Sequence, residues 1–195
     1  MELSERVKKH FNHSIETSIV IADSLADAIA HAGQVLVSSI LSGKKILSCG
    51  SGGAAAFSNY FSTQLLHRFS MERPALPAIS LSSDSATLTS IANDQSYRYA
   101  FSQQISALGQ AEDILLCICT SGNSRSIIEA IKVAHEKNMY IISLTGKDGG
   151  KIRKMYRLSD LEICIPSDQV ACIYEGQLTV INCLCAAIDQ GLFGV

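Results

Sequence analysis

Glycine and hydroxyl residues cluster directly after two short apolar runs of the sequence. Segment 49–53 (Cys-Gly-Ser-Gly-Gly) follows the run 46–48, and segment 120–124 (Thr-Ser-Gly-Asn-Ser) follows the run 113–119. Glycine lets backbone N–H groups approach an anion closely, and the N-terminus of a following helix favours negative charge. The two segments therefore predict binding of a phosphate or of sugar hydroxyls.

Each segment also has a purely structural interpretation. A tight strand-to-helix turn with positive φ needs the same glycines as the first segment. That segment lacks the Lys-Ser/Thr ending of a P-loop and the third glycine of the dinucleotide fingerprint. In the second segment one Ser or Thr would suffice as a helix cap, so several hydroxyls favour phosphate. A third glycine-rich segment, 145–151, is compatible with an exposed turn or with a ligand loop.

Helical and strand-like patterns alternate along the chain that carries these segments. Apolar residues at helical spacing over 4–31 predict one long helix or two in succession, continuing to residue 42 and ending at Gly43. Uniformly apolar strands are covered on both faces and require crossover helices, so the fold class is α/β with a parallel, doubly wound sheet. Strands are predicted at 46–49, 78–81, 113–119, 140–144 and 161–165, and further helices near 54–69, 85–92, 97–108, 124–137 and 170–190. We expect one domain over residues 1–195, with 1–31 as an N-terminal helical arm used in oligomerisation.

Composition narrows the class of protein further. The chain has 17% charged and 47% hydrophobic residues, which is typical of a globular protein with a lean polar surface. A net charge of −2 without clustered Lys and Arg argues against direct nucleic-acid binding. No apolar run resembles a signal peptide or a membrane span, so we expect a cytoplasmic protein. The six cysteines after Cys49 lack paired zinc spacing and are expected to be small core residues, whereas Cys49 is set apart because it opens the first glycine segment.

The glycine and hydroxyl segments, together with segment 92–94 (Ala-Asn-Asp) and segment 144–150, resemble the SIS-domain phosphoheptose isomerases nearly from end to end. Segment 72–74 (Glu-Arg-Pro) and the C-terminal residues 183–193 are similar to the branch of that family that associates with the replication initiator DnaA. The resemblance implies a five-stranded parallel sheet, a homotetramer, and a sugar-phosphate pocket that receives side chains from neighbouring subunits. The residues implied to bind the sugar phosphate are Ser51, Gly52, Gly53, Asn93, Asp94, Thr120, Ser121 and Ser124, with Arg68 as a candidate anion contact.

The same resemblance implies a zinc enzyme whose acid and base lie on two helices. The family carries His and Glu one turn apart after the first loop, and Gln and His eight residues apart on the last helix. The matching positions here are Tyr60, Gln64, Tyr174 and Asn182. A neutral amide has no useful basicity at pH 7, and a phenol is a poor zinc ligand there. We therefore expect no catalytic residue at Gln64 or Asn182, no metal ligand at the four positions, and zinc only if the chain is an isomerase.

Three functions are compatible with this pattern. The favoured one is a non-catalytic, phosphosugar-binding scaffold that associates with DnaA in replication initiation, with Leu192 and Phe193 as candidate partner-binding residues. The alternative is a D-sedoheptulose 7-phosphate isomerase of lipopolysaccharide heptose biosynthesis, which requires a shifted helix alignment or another base such as Glu175. A third is a sensor whose sugar phosphate changes its affinity for a partner. His10 and His13 share a helix face and are expected to lie far from any strand-end loop.

Overall fold

A computed structural model describes residues 2–194 as one parallel five-stranded sheet between two layers of helices. The predicted fold class is confirmed, and each strand lies within two residues of its predicted bounds. A short helix over Gly150–Arg153 was not predicted. The elements are α1 (Leu3–Leu41), β1 (Ile46–Gly50), α2 (Gly53–Leu66), β2 (Ala78–Ser80), α3 (Ser85–Asp94), a 3₁₀ helix (Tyr97–Tyr99), α4 (Ala100–Leu108), β3 (Ile114–Ile118), α5 (Arg125–Glu136), β4 (Tyr140–Gly146), α6 (Gly150–Arg153), β5 (Leu161–Ile165) and α7 (Val170–Phe193).

The apolar strands exist because both faces of the sheet are covered. Along β3, Ile114 and Leu116 join a core shared with α1, α2 and α7, whereas Leu115 and Cys117 join a second core shared with α4 and α5. Successive side chains of a strand point to opposite faces, so a run buried on both sides must be apolar at every position. The sheet is thus the central layer that fixes every strand-end loop.

The strand order is β2-β1-β3-β4-β5, with all neighbours parallel. The chain places β2 on one side of β1 and then returns to place β3 on the other side. Loops that leave two adjacent strands at such a reversal diverge and open a crevice beyond the carboxyl ends of the strands. The segments after β1 and β3, which the sequence analysis singled out, are the two loops at this crevice.

The N-terminal region is a single helix of 39 residues, which is the first of the two predicted possibilities, and the use of residues 1–31 in oligomerisation stays a prediction. Its second half packs against α7 through buried Ile29 and Leu36. Gly33 allows this close approach, because an added Cβ would lie 2.6 Å from the Cβ of Ala187. The first half of α1 keeps large apolar side chains exposed at a spacing of four, which places them on one face: Leu3, Val7, Phe11, Ile15 and Ile19.

Within residues 2–194, two helices, α1 and α7, are long and apolar enough to cross a bilayer by length and composition alone. The expectation that no apolar run reaches that length is therefore wrong. The most apolar stretch of α7 is half buried in the fold, and that of α1 is 28% buried. Core helices of soluble proteins meet the same criterion, so these two helices are weak support for a membrane span.

A buried ion pair holds the end of α2 against α7. Arg73 Nε lies 2.7 Å from Asp189 Oδ1, and the two side chains are 1% and 2% exposed. The Arg73 guanidinium also donates to the backbone carbonyls of Gln64 at 2.7 Å and Leu65 at 2.9 Å, while Asp189 accepts from the Ser70 hydroxyl at 3.4 Å. Buried charges are tolerated when their hydrogen bonds are made, and these are. The pair therefore fixes α2 at the end remote from the crevice.

The third glycine-rich segment supports the second one. Gly122 has φ +62°, and an added Cβ would overlap the carbonyl oxygen of Gly149. The backbone N–H of Ile152 donates to the Gly122 carbonyl at 3.0 Å, and that of Lys151 donates to Asn123 Oδ1 at 3.2 Å. Segment 145–151 thus has a role that neither interpretation named, since it supports the loop after β3 from within the fold.

Most cysteines are core residues, as expected. Burial raises the pKa of the Cys117 thiol well above its usual value and that of Cys185 to about 12, so both stay protonated at neutral pH. Cys183 differs from the expectation because it is exposed on α7, and Cys164 is half-buried. All seven are free thiols.

We predict that Asp189→Asn lowers the free energy of unfolding by about 3 kcal/mol or more, because it leaves the Arg73 charge buried without its partner. Urea unfolding measures the change. The exposed pair Lys132–Glu129 supplies a control, and Lys132→Ala should cost less than about 1 kcal/mol. An Asp189→Asn variant as stable as the control would show that the pair does not anchor α2.

We predict that Gly122→Ala destabilises the protein far more than Gly43→Ala. Both glycines have positive φ, but an added Cβ at Gly43 meets nothing within 4 Å, so that variant loses only about 1–2 kcal/mol to backbone strain. Gly122→Ala adds the clash with Gly149 and should lose at least twice as much in thermal unfolding. Equal losses would mean that the loops after β3 and β4 separate easily.

Candidate functional site

A cavity of about 290 Å³ lies at the carboxyl edge of the sheet, where the loops after β1 and β3 diverge. Serines, a tyrosine and two arginines line it, and no carboxylate does. Such a set offers hydroxyl and guanidinium hydrogen bonds to oxygen atoms and a net positive charge. The cavity therefore suits an anionic, oxygen-rich ligand. Its lining residues are Ser51, Ser96, Tyr97, Arg98, Ser124, Arg125 and Ser126.

A chain of hydroxyls connects the two loops across this cavity. Ser126 Oγ lies 3.1 Å from Ser51 Oγ and 3.1 Å from Ser124 Oγ, and the Tyr97 hydroxyl donates to Ser51 Oγ at 3.4 Å. Ser126 is buried, whereas Ser51 and Ser124 are half-buried at the cavity wall. Hydroxyls can donate or accept, so the chain can reorient toward a bound phosphate oxygen.

Two helix N-termini add positive potential at the same place. α5 begins at Arg125 and α2 at Gly53; neither has a side-chain capping hydrogen bond or an acidic residue in its first turn. The first N–H groups of a helix have no intrahelical partner, and together they carry a partial positive charge. Gly52, with φ +62°, turns the chain from β1 into α2 at this point. Both uncapped ends are thus available to an anion.

The structure brings some of the predicted ligand residues to the cavity and leaves others outside its lining. Ser51 and Ser124 line it. Thr120 and Ser121 are half-buried in the same loop, and Ser121 Oγ accepts from the backbone N–H of Asn123 at 3.3 Å. Gly53 lies under the Tyr174 ring, since an added Cβ would be 2.9 Å from its Cζ atom.

Asn93, Asp94 and Arg68 lie outside this cavity. Asn93 and Asp94 are exposed at the end of α3, where the Asn93 amide donates to Asp94 Oδ1 at 3.1 Å. Arg68 follows the C-terminus of α2 and pairs with exposed Glu72. Because α2 has 14 residues, about 21 Å of helix separate Arg68 from the crevice of its own chain. A contact from Arg68 to a sugar phosphate remains a prediction that needs a second subunit.

Five lining residues were not predicted. Arg125 and Ser126 follow the second hydroxyl segment directly, so their position in the sequence was a usable signal. Ser96, Tyr97 and Arg98 belong to a 3₁₀ turn between α3 and α4, and nothing local in the sequence places that turn at the crevice.

The four positions where the resemblance implies metal ligands lie on α2 and α7. The Tyr60 hydroxyl donates to Asn182 Oδ1 at 2.9 Å, so these two positions do come together. Tyr174 packs edge-on against Phe57 with 5.5 Å between ring centroids. Gln64 is half-buried one turn beyond Tyr60. The structure thus brings Tyr60 and Asn182 together, and their match to the family's ligand positions stays a prediction.

This donor set does not fit zinc. Zinc in proteins is held by imidazole nitrogen, thiolate sulfur or carboxylate oxygen, whereas the four side chains here are phenols and neutral amides. Among residues 2–194, no group of three or more His, Cys, Asp or Glu side chains could hold a metal ion. Zinc remains tied to the isomerase hypothesis, and these helices offer it no suitable ligands.

The N-terminal histidines lie at the carboxyl edge of the sheet, contrary to expectation. His10 Nε2 is 2.8 Å from Glu175 Oε1, and His13 Nδ1 is 2.8 Å from Gln169 Nε2. Gln169 immediately precedes α7, just beyond the carboxyl end of β5. The long α1 packs along α7, and this tertiary contact carries its first turns to the strand-end side.

The chain is similar to known proteins in domain, in sequence and in fold. A model of the SIS domain matches residues 10–146. Phosphoheptose isomerase of Alkalilimnicola ehrlichii is 49% identical over 194 residues, covering 100% of this chain and 99% of that protein. That of Shewanella sediminis is 50% identical over 189 residues, covering 97% and 96%. The structure of a phosphoheptose isomerase from Francisella tularensis superposes with a TM-score of 0.93 at 38% identity, covering 97% of this chain and 100% of that one.

These relatives correct the favoured functional hypothesis. They are phosphoheptose isomerases by name, which contradicts a non-catalytic DnaA-associating scaffold and favours the alternative. The implied closeness to the DnaA-associating branch is unsupported. Leu192 and Phe193, offered as partner contacts, are half-buried in the last turn of α7 and pack against the core. By domain, by sequence and by fold, the chain belongs to the SIS-domain family, alongside the phosphoheptose isomerases that resemble it from end to end.

Proposed function

We propose that this chain is a soluble, cytoplasmic sugar-phosphate isomerase that acts on a heptose phosphate such as D-sedoheptulose 7-phosphate. The observation that carries the proposal is the cavity at the strand-order reversal, with its hydroxyl chain, two arginines and two uncapped helix N-termini. These groups suit a phosphate. The full-length resemblance to phosphoheptose isomerases supports the reaction class.

The phosphate is proposed to lie between the loops after β1 and β3. Ser51 and Ser124 would contact it from the cavity wall, with Thr120, Ser121 and the backbone of Gly52 and Gly53 beside them. Asn93 and Asp94, exposed at the end of α3, are proposed to meet sugar hydroxyls on the open side. The sugar carbons would then extend from the phosphate along the carboxyl edge of the sheet.

Moving a proton between adjacent carbons requires a base and an acid. Gln64 is neutral, and the amide of Asn182 accepts a hydrogen bond from Tyr60, so we propose that none of these three takes part in proton transfer. The proposed base is Glu175, next to the Tyr174 ring that lies over Gly53, with His10 at 2.8 Å as the proton donor. Glu175 would take a proton from ketose C1 and return it to C2, while His10 would protonate the C2 carbonyl oxygen and then take the proton from the C1 hydroxyl, which leaves the aldose and restores both side chains.

We predict that the purified chain incorporates solvent deuterium into sedoheptulose 7-phosphate in D₂O and forms the aldose, because the reaction passes through an enediol. Glu175→Gln should reduce both rates by about 100-fold or more. Glu16 is an exposed residue of α1, so Glu16→Gln is the control and should leave the exchange rate and the rate of aldose formation unchanged. Mass spectrometry of the recovered sugar measures the exchange.

The outcomes of this assay separate the two proposals. Unchanged exchange in Glu175→Gln would exclude Glu175 as the base while leaving the isomerase proposal intact. Neither exchange nor aldose with the unmodified chain would sink the isomerase proposal.

We also propose that copies of this chain cover the exposed stripe on α1 and form a homotetramer. Phe11 and Ile15 are 62% and 55% exposed at the centre of the stripe. Changing both to Glu should yield smaller species in light scattering, because charge would have to be buried between subunits. Lys8→Glu, an exposed change on the same helix, is the control. A monomeric unmodified chain at micromolar concentration would contradict the proposal.

A further inference from the structure

Two arginines that the resemblance does not assign point to how this site selects its ligand. Arg98, in the 3₁₀ helix, and Arg125, at the start of α5, line the cavity from different elements. Within residues 2–194, the ion pairs of the structure include neither of them. No carboxylate lines the cavity either. Their charges thus have no counter-charge in the fold.

Arg98 is held in place by its neighbours. Its guanidinium carbon lies 4.3 Å from the centre of the Tyr99 ring, and the guanidinium also donates to the Tyr99 hydroxyl. The Arg98 backbone N–H donates to Ser96 Oγ at 3.4 Å. A guanidinium has five N–H donors in a rigid plane, so most of them remain for a ligand.

Arg125 stands where a helix is least suited to a cation. It is the first residue of α5, and positive charge near a helix N-terminus is unfavourable because the helix dipole is positive there. Ser124 and Ser126, on either side, turn their hydroxyls into the same cavity. An anion in the cavity would offset the repulsion between the Arg125 guanidinium and the positive end of the α5 dipole, because it would attract both.

We propose that Arg98 and Arg125 form a two-guanidinium clamp on a dianionic phosphate monoester, and that this clamp selects the ligand by charge. The proposal rests on the proposed function, since it concerns the same cavity. A phosphate monoester carries close to two negative charges at pH 7, which two guanidinium groups match. A monoanionic sulfate ester of the same sugar presents similar oxygens but only half the charge.

Titration calorimetry at pH 7.5 tests the clamp with three probes: sedoheptulose 7-phosphate, glucose 6-phosphate and glucose 6-sulfate. The unmodified chain should bind glucose 6-phosphate at least about 10-fold more tightly than glucose 6-sulfate, since two guanidinium groups match the two negative charges of the phosphate and the sulfate carries only one. Arg98→Gln and Arg125→Gln should each weaken binding of both phosphates about 10-fold and narrow the preference over sulfate. Arg6→Gln, an exposed change on α1, is the matched control and should have no effect.

Lowering the pH gives an independent readout. The second pKa of a phosphate monoester is near 6, so at pH 5 the ligand is mostly a monoanion. Phosphate affinity of the unmodified chain should fall between pH 7.5 and 5, and that of the two Gln variants should fall less. The melting temperature of each variant shows whether it is folded. Arg→Lys at either position keeps the charge and should lose less affinity for the phosphates than Arg→Gln.

The outcomes distinguish this proposal from the isomerase proposal. Folded Gln variants that bind both phosphates as tightly as the unmodified chain, or an unmodified chain that binds sulfate and phosphate equally, would overturn the clamp. Isomerase turnover could persist in both cases. An unmodified chain that binds none of the probes would overturn the clamp and the phosphate site together.

Discussion

The reversal of strand order between β1 and β3 is the constraint on which the rest of the site depends. Because β2 and β3 lie on opposite sides of β1, the loops after β1 and β3 diverge, and the helices that follow them begin at one crevice. The first N–H groups of α2 and α5 consequently face a common space. Serine hydroxyls and two arginines line this space, and no carboxylate does.

The contacts that hold α2 in place lie outside the crevice. The end of α2 remote from the crevice is fixed to α7 by the Arg73–Asp189 ion pair, and the middle of α2 by the hydrogen bond between Tyr60 and Asn182. The groups proposed to bind phosphate and the groups proposed for proton transfer lie on different elements. In this proposal, phosphate binding does not depend on which side chains stand at the four positions on α2 and α7.

The sequence predicts the sheet well and the site only in part. Short, uniformly apolar runs between turn residues favour strands covered on both faces, so strand positions and the fold class follow from local pattern. The order of the strands does not, because it depends on crossovers that no local pattern records. The sequence did not predict the Arg73–Asp189 pair or the His10–Glu175 contact, because only tertiary packing brings these residues together. The position of Arg98 at the cavity was missed for the same reason. The side chains at the four positions on α2 and α7 favoured a non-catalytic scaffold, and the similarity of the whole chain to phosphoheptose isomerases overturned that hypothesis.

The interlocked glycines after β3 and β4 bear on how this pocket could be re-engineered. Gly122 and Gly150 leave no room for side chains between the two loops, since a Cβ on Gly150 would lie 2.6 Å from the Ser121 carbonyl oxygen. A library that varies residues 121–123 alone would consist mostly of misfolded members. Ser51 and the turn at residues 96–98 face the same cavity without that interlock, so selection for a new ligand would find its viable variants there.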